Sequence, residues 1–516
     1  MKKHIIILFL IISELSLSSV NGGFSYLLSK GNINANSFSD VINVKDTIWA
    51  VSTKGIHITR DGGKNWENLF FENKSISAIA YNNYNKTIWV AFANNVIIDG
   101  QNLPNGLGLA YTSDFGRSWN EIKQPVDNNF DTLETYGINT IKALPITTTI
   151  NNLIYDIAFT KNTVWVASFA GGLRKSNDMG KSWKRVVLPP DYLDGIKPSD
   201  TLKFSLSPSS GRMGLENNLN HRVFSVASLS DSIVCVGSAG GINISFDDGN
   251  SWLKTNATNK VYGISGNFVV SILADTITNN IYIASWKAEG ANEFNAVSFT
   301  SNYGNTWNIV LNDIKIYNFC KAGNDIIAVS ENGIYRSQNS FNWQNLNYFY
   351  DESNKLYTFD NKFYGCTSIK KNDTLDIYFA GNSNLVKIEE LDNGTMWDGK
   401  WKIYFASDEN FNVNSSYAYP NPFSPSIDHL LKIKYSTNGE TKKVSIRILS
   451  FDMQLVRTII QNAERGIGSH NISNNEIIDY WDGKDDNGNS VANGTYFYRI
   501  DIDGYKPIYG KILVIK

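Results

Sequence analysis

One eight-residue pattern recurs along this chain and leaves few folds open to it. Thr59-Arg-Asp-Gly-Gly-Lys-Asn-Trp66 returns as Thr112-Ser-Asp-Phe-Gly-Arg-Ser-Trp119, as Ser176-Asn-Asp-Met-Gly-Lys-Ser-Trp183 and as Ser245-Phe-Asp-Asp-Gly-Asn-Ser-Trp252. Thr300-Ser-Asn-Tyr-Gly-Asn-Thr-Trp307 carries Asn302 in the Asp place, and Ser337 to Trp343 is one residue shorter and has no Gly. Each position has a physical task. The short side chains of Asp61, Asp114, Asp178 and Asp247 can accept backbone N–H groups in the turn they begin. Gly tolerates the positive φ of a tight hairpin. The indoles of Trp66, Trp119, Trp183, Trp252 and Trp307 bury a large area, and are expected to pack beneath their own turns.

A second repeat lies upstream of each turn. Thr47 to Ser52, Thr87 to Ala91, Thr163 to Ser168, Ser232 to Gly237, Asn280 to Ser285, Asp325 to Ser330 and Leu375 to Ala380 are seven apolar, β-branched runs. A further strand precedes each, such as Ile154 to Phe159 and Val223 to Ala227. Four antiparallel strands per unit, repeated seven times, predict an all-β chain: a seven-bladed β-propeller over residues 24–405. The outer strand of the seventh unit falls either to Trp401–Phe405 or to Ser25–Ser29 from the N-terminus.

Composition agrees with a packed core and narrows the partners. Hydrophobic residues make up 42% of the 516 and aromatics 13%, which excludes disorder over most of the length. Lys plus Arg (47) balance Asp plus Glu (49), with no Lys/Arg run longer than two, so a nucleic-acid partner has no support. Met1-Lys-Lys-His4 followed by apolar Ile5 to Ile12 and small residues to Gly22 predicts a secretory signal peptide over 1–22. The apolar run is too short to span a bilayer, which takes about 20 residues, so no transmembrane segment is expected. The mature protein is expected to be secreted or on the cell surface. Three cysteines, Cys235, Cys320 and Cys366, are too few for a disulfide framework and read as buried thiols, with a Cys320–Cys366 pair left open.

The repeated turns resemble the Asp-box (BNR) repeats of sialidases, sortilin-type receptors, xyloglucan-cleaving glycosidases and photosystem-assembly-factor-like propellers. That resemblance implies the propeller fold and is silent on activity, since enzymes and non-enzymes share the turn. The sialidase branch fits poorly. No Arg-Ile-Pro occurs, Arg60 and Arg117 sit in the boxes, and Arg174, Arg212 and Arg222 have no motif around them.

After a polar linker, 406–416, the pattern changes. Tyr419-Pro-Asn-Pro-Phe423 opens about 100 residues of alternating strands, with Trp481-Asp-Gly-Lys-Asp-Asp-Asn-Gly488 as a turn and Gly510 to Lys516 as a terminal strand. Length and spacing predict an Ig-like β-sandwich over 417–516. The segment resembles flagellar-hook-capping-type Ig-like domains and the C-terminal sorting domains of type IX secretion substrates. The resemblance implies recognition by an outer-membrane secretion machinery.

Propeller geometry puts four insertions, 94–107, 124–149, 189–220 and 286–295, on the face opposite the boxes. Long loops on a rigid scaffold are where binding residues concentrate. Candidates there are Asp131, Glu134, Tyr136, Asp191, Tyr192, Asp194, His221, Arg222, Trp286, Glu289 and Glu293. Aromatics with carboxylates suit a glycan or protein ligand; two converging carboxylates would instead suit glycoside hydrolysis. No Gly-x-Ser-x-Gly, His-Glu-x-x-His or phosphate-loop motif occurs, and no metal site or cofactor is expected. The reading is a non-catalytic binding propeller, with a polysaccharide-active glycosidase as the alternative.

Overall fold

The computed structural model describes residues 16–20, 24–208, 215–216, 218–258, 263–288, 290–346, 348–350, 356–358, 362–392, 394–404, 416–437, 440–466, 471–473 and 476–516. Among them the structure is all-β, with one short 3-10 turn at Leu219–His221 and no helix long and apolar enough to cross a membrane.

The architecture is a β-propeller. Seven strands, Phe38–Val44, Ser75–Asn82, Ile154–Thr160, Val223–Ser228, Phe268–Ala274, Ile316–Ala322 and Phe363–Lys371, each open an antiparallel sheet of four chain-consecutive strands. Each of these inner strands touches the next, and Phe363–Lys371 returns to touch Phe38–Val44, so they wall a central cavity. The second strands, such as Thr47–Ser52 and Thr163–Ser168, are buried along their whole length. This explains their near-continuous apolar sequence: both faces of the sheet pack against neighbours. Their indoles are satisfied as well as buried. Trp49 and Trp89 donate to the hydroxyls of Thr47 and Thr87 at 2.9 Å, and Trp165 donates to Thr160 at 3.2 Å.

The repeated turns join the third and fourth strands of their sheets. Asp61 Oδ1 accepts the N–H groups of Lys64 and Asn65 at 3.0 and 2.9 Å, while the Thr59 hydroxyl donates to the same oxygen. Asp114, Asp178 and Asp247 accept the amides of Ser118, Ser182 and Ser251 in the same way. Bonds from the Ser182 side chain and amide hold the Asp178 carboxyl down to about 2. Asn302 makes the equivalent bond to Thr306 at 3.0 Å without a charge, so the turn needs an acceptor rather than an anion.

The tryptophans reach beyond their own turns. Trp252 and Trp307 lie against the glycines of those turns, with ring carbons 3.3 and 3.6 Å from where a Cβ on Gly249 and Gly304 would stand, and the indoles also enter the boundary with the preceding sheet. Trp119 meets Phe71 of the first sheet edge-on at 5.8 Å, and Trp252 shares a cluster with Trp165 of the third. Trp66 meets Tyr404 of the seventh sheet edge-on at 5.3 Å, so the same wedge closes the ring. The turn glycines permit this approach. Gly116, Gly180 and Gly249 have φ of 88°, 81° and 82°, and an added Cβ would lie 3.2, 2.6 and 2.6 Å from Trp49, Ile122 and Trp165 of the preceding sheet. The boundary is where an indole can bury both faces against apolar side chains.

Closure uses no strand from the N-terminus. Gly399–Tyr404 completes the seventh sheet, whereas Phe24–Gly31 pairs with Trp66–Phe71 as a fifth strand of the first. Ser16–Val20, inside the expected leader, lies against Phe24–Leu28. Cys235, Cys320 and Cys366 are free and buried. Beyond residue 415, two four-stranded antiparallel sheets enclose a separate core that includes Leu431, Ile433, Ile446, Ile448, Ile500 and Ile512. Inside it Arg465 forms a two-point pair with Asp479, which also accepts the Tyr435 hydroxyl at 2.7 Å. The linker residues 406–415 lie outside the described residues.

The wedge makes a graded prediction. Trp252 is 1% exposed whereas Trp183 is only partly buried. Trp252→Ala should therefore cost about 3–5 kcal/mol in chemical denaturation, and Trp183→Ala less than half of that. Equal losses at the two positions would contradict a wedge whose worth follows its burial.

Candidate functional site

Two of the four insertions do not stay on the face opposite the repeated turns. Segments 124–149 and 189–220 form a small sheet of their own, Leu133–Tyr136, Asn139–Ala143 and Ser205–Leu206, and Gly195–Ile196 adds a fifth strand beside Trp252–Thr255. They wrap the rim of the third and fourth sheets, because Tyr136, Ile141, Leu188, Ile196 and Leu206 join the core those sheets share. Tyr136 reaches the repeated turn itself, donating its hydroxyl to the Asn250 carbonyl at 2.6 Å. Apolar burial on the rim thus outweighs the placement expected from loop order alone.

The candidate residues are accordingly dispersed, and most are engaged in bracing loops. Glu134 accepts from Arg185 Nε at 2.9 Å, within a network in which Asp127 also pairs with Arg174 at 2.7 Å. Asp131 caps the Asn128 amide, and Asp191 takes the amides of Leu219 and Asn220, both at 2.8 Å. Tyr192 is 60% exposed on the rim, its hydroxyl donating to the Lys203 carbonyl. Asp194 is an exposed rim residue whose carbonyl accepts the Lys254 amide. His221 is buried between the Ser207 amide and the Leu188 carbonyl, and burial lowers its pKa to about 4, so the ring is neutral. Arg222 stacks over Phe169 at 5.2 Å and donates to the Pro208 carbonyl. Glu293 is 6% exposed and accepts four bonds, from both nitrogens of Asn267 and from the amides of Ala288 and Gly290. Glu289 and Arg212 lie outside the described residues. None of the described carboxylate candidates, Asp131, Glu134, Asp191, Asp194 and Glu293, lines the axial cavity described next.

A different constellation gathers at the axis. Each of the seven inner strands has a register shift after its first or second residue, so Ser39, Ser77, Tyr155, Phe224, Val270, Tyr317 and Tyr364 are bulged residues. A bulge re-aims its side chain. The first six of these line the mouth of a cavity of about 670 Å³ that runs down the ring axis. The aromatic members make contact round the rim: Tyr155 with Phe224 at 6.0 Å, Phe224 with Phe268 at 5.7 Å, and Tyr317 with Tyr364 at 5.1 Å. Of the candidates only Trp286 belongs here. It meets Tyr317 edge-on at 5.5 Å and is held by its Nε1 donating to the Ile316 carbonyl at 2.7 Å. This mouth is at the N-terminal ends of the inner strands, opposite the repeated turns.

Just inside the rim stand Asp40 and Asp156. Asp40 caps its neighbour Val41 at 2.8 Å; Asp156 caps Ile157 at 2.8 Å and Val226 of the next sheet at 2.9 Å. Burial pushes their carboxyls up to about 6 and about 7. The sequence held a signal for these residues. Phe38-Ser-Asp-Val, Ile154-Tyr-Asp-Ile and Ile316-Tyr-Asn-Phe repeat an apolar–x–polar–apolar pattern at the start of inner strands. No group of three or more His, Cys, Asp or Glu could hold a metal ion among the described residues.

No protein-family model matches the sequence, and no curated protein matches it. Among solved structures the chain is similar to an ancestral GH74 enzyme, at 14% identity and a TM-score of 0.50, covering 93% of this chain and 62% of that one. It is also similar to the GH74 xyloglucanase from Xanthomonas campestris (11%, 0.46, covering 74% and 56%). A third likeness is to PorZ, an essential surface component of the type-IX secretion system of Porphyromonas gingivalis (12%, 0.37, covering 97% and 75%). At these identities the likeness is one of fold, and the fold is the β-propeller.

Glu293 and Glu134 are braces of different weight. Glu293→Ala leaves four donors without their acceptor and should cost about 2–3 kcal/mol, whereas Glu134→Ala should cost about 1 kcal/mol, because Arg185 keeps Asp127 and the carbonyls of Asp131 and Leu144. Thermal unfolding of both variants checks this, and equal melting points would contradict it.

Proposed function

We propose that this chain is an exported propeller, secreted or displayed at the cell surface, that binds a glycan or a protein at its axial mouth without chemically altering it. The ring is read as seven blades, the first six of which carry an Asp-box turn or its degenerate form. The second core, over 417–516, is read as an Ig-like sandwich that addresses the protein to a type IX-like outer-membrane secretion machinery. The observation that carries the binding reading is the aromatic rim: Tyr155, Phe224 and Tyr317 present ring surface to an open cavity on the face away from the repeated turns, and Trp286 packs edge-on against Tyr317 behind it. Aromatic faces are the usual platform for sugars and for apolar or cationic side chains. The glycosidase alternative rests on Asp40 and Asp156. Hydrolysis by a carboxylate pair works when the two pKa values are pushed apart, and here burial pushes both up.

Binding of the full-length protein to arrayed glycans and to surface proteins of its own cell tests this. Saturable binding should fall at least tenfold in Tyr155→Ala and Tyr317→Ala with melting points unchanged, and no reducing ends should be released from polysaccharides. Binding indifferent to both substitutions, or hydrolysis abolished by Asp156→Asn, would overturn the reading. For the address, a chain ending at Tyr404 should remain in the periplasm of a host that has the exporter. Its arrival at the surface would leave the tail as a spacer.

A further inference from the structure

The axial cavity holds two carboxylates whose charge the fold does not use. At the residue after each bulge, five of the seven inner strands are neutral: Ala78, Ser225, Ser271, Asn318 and Gly365. Asn318 is the informative case. Its amide oxygen accepts the Phe319 N–H at 2.9 Å, the same local bond that Asp40 gives Val41 and Asp156 gives Ile157. A neutral amide therefore makes the local bond of the bulge as well as a carboxylate does; only the second bond of Asp156, to Val226, uses the other oxygen.

No Lys, Arg or His pairs with Asp40 or Asp156 among the described residues. Lys321, the cation on the cavity wall, is held instead by both oxygens of Asp275 at 2.9 Å. The other titratable groups on the wall, Tyr155, Tyr317, Cys320 and Cys366, bring no positive charge. An uncompensated carboxylate in a partly desolvated wall is costly, and its raised pKa expresses that cost. A cation entering the cavity would relieve it at both residues. The rim favours the same guest, since ring faces attract cations. A cavity of about 670 Å³ is sized for a small molecule rather than a polymer.

From this arrangement we infer that the axial cavity binds a small organic cation, its ammonium head against Asp40 and Asp156 and its carbon skeleton against the rings of Tyr155, Phe224 and Tyr317. This rests on the binding reading above only in taking the axial mouth as the entrance.

Calorimetric titration of the full chain with 1,5-diaminopentane and with tetramethylammonium tests it, with 1,5-pentanediol and calcium chloride as comparisons. The ammonium probes should bind at least tenfold more tightly than the diol. Their affinity should fall at least tenfold between pH 8 and pH 5, because protonation removes the charge they contact. Asp40→Asn and Asp156→Asn should each weaken them at least tenfold; Asp40→Asn should melt at or above the wild-type temperature at pH 8, since the amide keeps its one cap, whereas Asp156→Asn keeps the Ile157 bond, gives up the one to Val226 and should melt lower. Absence of ammonium binding, equal binding of the diol, affinity unmoved by pH, or binding of calcium alone would overturn the inference. The pH arm uses the unaltered protein, so a variant that fails to fold leaves the test intact. Glycan or protein binding that depends on Tyr155 and Tyr317, without ammonium binding, would sink this inference and leave the proposed function standing.

Discussion

The indole that each repeated turn drives into the boundary between two sheets is the contact on which the ring depends. A four-stranded sheet standing alone has two apolar faces and cannot bury either. Trp66, Trp119, Trp252 and Trp307 supply the missing surface across the boundary, and the turn glycines let the backbone come close enough for them to do so. The Nε1 of each is buried without an acceptor, unlike the satisfied indoles of Trp49, Trp89 and Trp165. Shape and area, then, are what these positions select. Because Trp66 repeats the contact against Tyr404, the first and last sheets are joined by the same wedge as every other pair. No strand has to be exchanged between the chain ends.

That arrangement divides the labour between the two ends of the ring. One end is occupied by turns whose carboxylates and glycines are committed to geometry. At the other, the bulge near the start of each inner strand re-aims one side chain, and in five of the seven strands a polar residue, Asp40, Asp156, Ser225, Ser271 or Asn318, stands just behind it. The first position carries rings at Tyr155, Phe224 and Tyr317, and the second carries charge at Asp40 and Asp156. The sign of that charge's effect follows from its pKa. Folding raises both carboxyls above their unfolded value, so their contribution favours the folded state below about pH 4 and is lost as pH rises through about 6 and 7. At neutral pH and above, keeping these groups ionised costs the fold stability.

Much of this was legible in the sequence, and the reasons differ from part to part. The strands showed because β-branched runs bounded by Gly, Asn and Asp report local backbone preference. The turns showed because Thr59, Asp61, Gly63 and Trp66 act within a few residues of one another. The direction of the indoles did not show, since it depends on a neighbouring sheet that is distant in the chain, as far as Tyr404 is from Trp66. Nor did the rim. Loop length pointed to Asp131, Glu134, Tyr136 and Glu293, whereas side-chain burial turns those into braces, and a register shift places Tyr155 and Tyr317 at the mouth. A bulge leaves little trace in alternating hydrophobicity. The apolar–x–polar–apolar start of the inner strands is that trace, and it becomes readable once the strands are aligned by their sheets.

The claim that joins these parts is that Asp40 and Asp156 stand on the axial wall with no Lys, Arg or His among the described residues to neutralise them. Titration of Asp40 and Asp156, read from carboxyl signals in infrared or carbon-13 difference spectra between wild type and the two Asn variants, tests it directly. The account predicts transitions near pH 6 for Asp40 and near pH 7 for Asp156. Transitions of both groups near pH 4 would mean that the carboxylates are fully hydrated and cost nothing to ionise, and would contradict it.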